Sequence, residues 1–218
     1  MSDTTDKSKG YSDTPEEREF ELRAQIGSLW TGGRLAIGMY TFLLASEAFA
    51  YFYLRSSNNG QLWRPDHVTA PTSYGWAIYM LEVLTALLVI FGQWRFRKGE
   101  VLDWQVAGWG ALGASLLALF LQIWEYTAVP FNPGSSGYAS TFIGWGVINI
   151  MTLLFGAYWI ETVLARSIRM HKETGSKFAD LTMEPSAQLF RANIASMTYF
   201  WGFVAVSGAL FFSMFYLL

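Results

Sequence analysis

Residues 34–54, RLAIGMYTFLLASEAFAYFYL, form an apolar run long enough to cross a bilayer, and a single carboxyl group, Glu47, sits inside it. A helix rises about 1.5 Å per residue and needs roughly 20 residues to cross about 30 Å of hydrocarbon. Glu47 lies thirteen residues past Arg34, which puts it near mid-depth. A charge at the bilayer centre costs at least about 2.5 kcal/mol, so acids there face the protein interior, take a partner or a proton, and mark function.

The remainder of the chain agrees with a membrane setting. Of 218 residues, 52% are hydrophobic, 17% aromatic and only 15% charged, too little polar surface to cover a soluble globule of this size. The first thirty residues are polar and acidic and lack the basic start, apolar core and small-residue cleavage site of a secretory signal. The first span is therefore expected to stay in the mature protein. Residues 1–33 read as a cytoplasmic tail ending in a short amphipathic helix, with Pro15 and acids at its start and Phe20, Leu22, Ile26 and Leu29 on its apolar side.

Five apolar runs follow, at about 35–54, 75–95, 104–128, 140–165 and 194–217, each long enough to span. Loops rich in Asn, Gly, Pro, Ser or basic residues separate them, so the expected fold over 34–218 is an all-α bundle of five transmembrane helices. Thirteen Lys and Arg fall on the side of the N-terminus and two, Arg55 and Arg64, on the other. The positive-inside rule then places the N-terminus in the cytoplasm and the C-terminus outside, and Trp63, Tyr74, Trp76, Trp94, Trp104 and Tyr216 near span ends suit interfacial belts.

Packing faces are legible as stripes of small or polar side chains. Ala107, Ala111, Ala114, Ala118, Gln122 and Glu125 recur at helical spacing in the third span, Thr141, Trp145, Asn149, Thr152 and Gly156 in the fourth, and Gly202, Ala205, Ala209 and Ser213 in the fifth. Gln122, Glu125 and Asn149 are the polar packing groups of these faces. Glu47 lies seven residues before the end of span one and Glu82 seven after the start of span two, at about equal depth on consecutive antiparallel helices. Either the two share one proton, since neighbouring carboxyls in low dielectric cannot both ionise cheaply, or each is protonated and bonded to a different partner. Glu125 and Glu161, near span ends, read as solvated edge carboxyls.

Several chemistries are excluded. With no cysteine, the chain offers no disulfide, iron–sulfur cluster or thiolate metal site. His67 and His171 both fall in expected loops, so no haem or copper ligand is expected from the spans. The charge balance of −2 leaves no footprint for nucleic acid. Zinc-hydrolase, nucleotide-loop and nucleophile-elbow motifs are lacking.

Taken together, GMYTFLLASEAFAYFYL in the first span, LFLQIWEYT closing the third, SGYASTF opening the fourth and TYFWGFVAVSGALFF in the fifth resemble subunit III of the haem–copper terminal oxidases. The family's G-M-x-x-F-x-x-S-E stretch is met by Gly38, Met39, Phe42, Ser46 and Glu47, with one residue more between Met39 and Ser46. Its Gln with Glu-Tyr at a span end falls on Gln122, Glu125 and Tyr126, and Tyr199, Trp201, Phe203, Val204 and Val206 fit its last span. Gly202 and Ala205 stand where the family usually has His and Asp, and its histidines of the fourth span are missing around Asn149 and Thr152. The resemblance covers Arg34 to the end and is to the five-span form found in bo-type quinol oxidases.

That resemblance implies a subunit of a bacterial cytoplasmic membrane complex with no cofactor of its own. It would lie beside catalytic subunit I and subunit II, which carry haem and copper, bind phospholipid, and support proton uptake and stability in turnover. Glu47 would be the family's buried, carbodiimide-reactive carboxyl. Competing readings are the related accessory protein of nitric oxide reductases, a small proton-coupled transporter using Glu47 and Glu82, and an assembly factor absent from the mature complex. Transporters of that kind tend to carry broken helices at the site, whereas here the prolines lie in the tail and loops.

Overall fold

A computed structural model describes residues 14–57, 62–66, 68–174 and 185–218. His67, expected in a loop, lies outside these. The described residues are helical, with no strand: α1 Pro15–Ser56, α2 Thr72–Arg97, α3 Val101–Ala128, α4 Gly137–Thr174 and α5 Pro185–Phe212, followed by one wide π-helical turn, Ser213–Leu217. All five helices are long and apolar enough to cross a membrane, the architecture of a multi-pass bundle.

The expected short helix in the tail is no separate element. Thr14 starts α1 with a capping box, its Oγ1 accepting from the Glu17 amide at 3.3 Å while the Glu17 carboxylate accepts from the Thr14 amide at 3.4 Å, and Pro15 follows at the first helical position. No proline interrupts the next 41 residues, so the amphipathic segment runs straight into the span as one helix of 42 residues, about 63 Å long. Gly33 is part of the reason. It packs so closely on α5 that a Cβ would stand 2.0 Å from Ser196 Oγ, which fastens the lower half of α1 to the bundle. α4 likewise outruns its apolar stretch, carrying Arg166, Arg169 and His171 on helix; His171, expected in a loop, lies in its last turn.

α2 and α3 form an antiparallel hairpin whose turn uses Gly99 at φ +90°, a conformation glycine adopts without steric cost. Arg95 closes the hairpin on Glu100 and Asp103, its Nε donating to Asp103 Oδ2 at 2.6 Å. α3 packs on α4, α2 on α5, and α1 on α4 and α5, whereas α1 and α2 have no appreciable contact. Large apolar side chains on the outside of the bundle, such as Phe42, Phe49, Trp109, Phe120, Tyr158 and Val206, are exposed.

The interior has two apolar clusters. One is built around Trp104, Phe190, Phe200 and Trp201, the other around Tyr51, Trp63, Tyr138, Phe142, Phe211 and Phe215 at the end of the bundle that holds the C-terminus. Trp104 and Trp63 are thus buried rather than in interfacial belts: Trp104 fills the space left by Gly92, where a Cβ would meet its ring at 2.7 Å, and Trp63 packs edge-on against Tyr51. The small stripes of α3 and α4 are buried throughout. That of α5 is only partly covered, because Trp201, Val204, Gly208 and Phe211 face the core instead.

Gly156 is where α4 and α5 approach most demandingly, since a Cβ there would lie 2.6 Å from the Trp201 ring. Gly156→Val is expected to destabilise the bundle by about 1–3 kcal/mol through overpacking. Gly113→Val, where nothing lies within 4 Å of a Cβ, is expected to leave stability nearly unchanged; thermal unfolding in detergent micelles distinguishes the two.

Candidate functional site

Four of the five residues singled out from the sequence meet in one buried network. Glu82 lies on the α2 face that also buries Ile78, Thr85, Ala86 and Val89, a three- and four-residue spacing that turns its carboxyl inward. Asn149 occupies the buried stripe of α4. Gln122 and Glu125, three residues apart, end the alanine stripe of α3, so both project from one face.

The bonds form a continuous chain across helices. Asn149 Nδ2 donates to Glu82 Oε1 and to Gln122 Oε1, both at 2.9 Å. Gln122 Nε2 donates to Glu125 Oε2 at 2.8 Å, and the Tyr216 hydroxyl donates to Glu125 Oε1 at 2.7 Å. Three helices and the terminal π turn are thereby joined through side chains alone. Glu82 and Gln122 are each 2% exposed, Asn149 3% and Glu125 0%.

Backbone at the C-terminal end places Tyr216. The π turn closes with the Leu218 amide on the Ser213 carbonyl, and insertions of this kind re-aim side chains at functional sites. The carbonyls left free at a helix terminus are taken by hydroxyls from other elements: Tyr51 donates to Met214 O at 2.6 Å and Tyr138 to Phe215 O at 2.7 Å. Two glycines make the space. A Cβ on Gly75 would stand 2.6 Å from the Tyr216 ring, and one on Gly208 would stand 2.3 Å from Glu82 Oε2.

Of the two readings open for Glu47 and Glu82, the structure is against a shared site, because equal depth on consecutive helices does not make them neighbours: the connection between Ser56 and Thr72 is long enough to carry α2 away from α1, which lies on α4 and α5. One expectation is corrected. Glu125 is no solvated edge carboxyl; the chain's own C-terminal turn covers it. Glu161 is exposed, as expected. Tyr216, read as a belt residue, is the member of the network that the sequence did not disclose.

Glu47 stands apart. It is half-buried at the seam of α1 with α4, both carboxylate oxygens about van der Waals distance from the face of Gly144, where a Cβ would lie 3.3 Å from each. Its Oε1 is buried without a hydrogen-bond partner among the described residues.

Chemically, the network offers two carboxyls bridged by neutral amides and a phenol, with no salt bridge to either carboxyl among the described residues. No group of three or more His, Cys, Asp or Glu side chains able to hold a metal ion occurs among those residues. The arrangement can bind and hold protons and can fix helix register. The chain matches no protein-family model, and no match to a curated protein was found.

Replacing Asn149 with Leu removes two donors and strands two buried acceptors. A loss of about 1–3 kcal/mol is expected for an unsatisfied buried group. The double variant Asn149→Leu with Glu82→Met is expected to lose less than the sum of the single changes, measured as a double-mutant cycle of unfolding in detergent; strict additivity would show that the pair is not coupled.

Proposed function

We propose that this chain is a non-catalytic subunit of a proton-pumping respiratory terminal oxidase, of the subunit III kind, in a bacterial cytoplasmic membrane. On this reading its N-terminus lies in the cytoplasm and its C-terminus outside, which the thirteen-to-two sidedness of Lys and Arg supports. The observation that carries the reading is the chemistry of the bundle interior. Its polar core is built from carboxyl, amide and phenol groups, with Asn149 in the region where the resembling family carries histidine. Such an interior handles protons and binds helices, and leaves electron transfer to haem and copper in partner subunits I and II.

Two further features support the assignment. Glu47, at the position of the family's intramembrane glutamate, has an oxygen that no described residue satisfies, which suits a carboxyl completed by a neighbouring subunit or lipid. A largely apolar groove of about 430 Å³ lies where α1, α4 and α5 meet, walled by Gly32, Phe155, Tyr158 and Trp159. Its polar rim includes Asn193, which accepts from the Trp159 indole at 2.8 Å. An acyl chain with its headgroup at the rim fits that lining, in keeping with a phospholipid-binding subunit.

Gentle solubilisation and purification through a tag on this chain are expected to bring down a haem-bearing integral partner, seen as a Soret band in the visible spectrum of the whole particle. A homogeneous particle without a haem-bearing chain would overturn the assignment.

A further inference from the structure

The space beside Glu82 supports an inference that does not depend on the family reading. A cavity of about 20 Å³ is bounded by Gly75, Glu82, Gln122, Asn149, Gly208 and Tyr216 among its walls. One water needs about 10–15 Å³ and two to four polar partners, and this cavity meets both conditions. Glu82 Oε2 lies at Gly208, itself a wall of the cavity, and has no hydrogen-bond partner among the described residues, although the residue is only 2% exposed. Tyr216, on another wall, already donates to Glu125.

We propose that Glu82 and Glu125 form a single proton-binding site, linked by one water in this cavity and the Tyr216 hydroxyl. In the transfer step the Glu82 O–H bond breaks as the water takes the proton. The water passes a proton to Tyr216 Oη, whose own O–H proton moves to Glu125 Oε1. One proton has crossed from one carboxyl to the other, and water and tyrosine are restored. The amide bridge of Asn149 and Gln122 takes no part in the hopping; it holds the two carboxyls at fixed separation and couples their charges.

The surroundings leave that coupling undiluted. The titratable groups facing the site are Tyr79 on α2, Tyr126 on α3, Tyr138 on α4 and Tyr216 itself; the cations described at this end are Arg64, 5.3 Å over the Tyr138 ring, and Arg55, which donates to the Tyr51 hydroxyl at 3.2 Å, and neither forms an ion pair with Glu82 or Glu125. Two carboxylates in such a setting are not both ionised cheaply, so the site retains a proton. Gly75, Ile78, Tyr79 and Glu82 share one face of α2 leading to its first turn, a distance of about 10 Å. Exchange with water therefore takes place from the C-terminal end of the bundle.

Infrared titration of the full chain in lipid nanodiscs tests this through the C=O stretch of protonated carboxyls, assigned with Glu82→Gln and Glu125→Gln. The wild-type signal of the pair is expected to vanish in two separate steps as pH rises. In Glu125→Gln the Glu82 band is expected to vanish in one step, about one pH unit or more below the upper wild-type step. Glu82→Gln is likewise expected to leave a single Glu125 step at least as far below the upper wild-type step, because the coupling free energy is the same from either carboxyl, so either variant decides if the other does not fold. Steps that neither substitution moves would refute the shared site. Tyr216→Phe keeps both carboxyls and is expected to slow hydrogen–deuterium exchange at the Glu125 band; an unchanged rate would remove tyrosine from the path.

Discussion

Asn149 makes the contact on which the arrangement depends, because one side-chain amide satisfies a carboxyl from α2 and an amide from α3 at the same time. In an apolar interior an unpaired polar group is costly, so each member of the network holds the next in place. Moving α4 by even one residue would present an apolar side chain to Glu82 and Gln122. The network therefore sets helix register in a bundle whose surrounding contacts, alanine on alanine and ring on ring, are less discriminating. Tyr216 extends the same logic to the C-terminus by bonding the final turn to Glu125.

How much of this could be read from the chain depended on whether the signal was local. The five spans, the buried stripes of α3 and α4, and the inward turn of Gln122 and Asn149 follow from apolar length and helical periodicity, which are properties of single segments. Pairing is not such a property. Glu47 and Glu82 occupy matching depths, yet α1 leans on α4 and α5, and nothing in either span records which neighbour it will have. Glu125 looked like a surface acid because its cover comes from residues some 90 positions later. Trp104 looked like a belt residue because the glycine that receives it, Gly92, lies on another helix. The continuity of α1 was open to sequence reading, since Thr14, Pro15 and Glu17 spell a helix start and no proline follows until Pro65.

Function follows the same division between what the bundle completes and what it leaves open. Glu82 and Glu125 are buried within the chain, towards the end where the C-terminus emerges, and take their hydrogen bonds from other side chains of the same bundle. Glu47 is the opposite: a carboxyl at the α1 seam with an oxygen unmatched among the described residues, beside an outer surface of phenylalanine, leucine and methionine. A chain that keeps one acidic site for itself and offers another at its edge is suited to work beside a larger partner, and the proposed role in a terminal oxidase assigns the offered carboxyl to that boundary.

The central structural claim is the direct bond between α4 and α2 at Asn149 and Glu82. Solid-state NMR of the protein in lipid bilayers, with dipolar recoupling between the Asn149 side-chain nitrogen and the Glu82 carboxyl carbon, measures it most directly. A strong one-contact coupling, as required by the 2.9 Å nitrogen–oxygen separation, is the expected result. No coupling between these two atoms would mean that the helices meet in some other register, and the network described here would not exist.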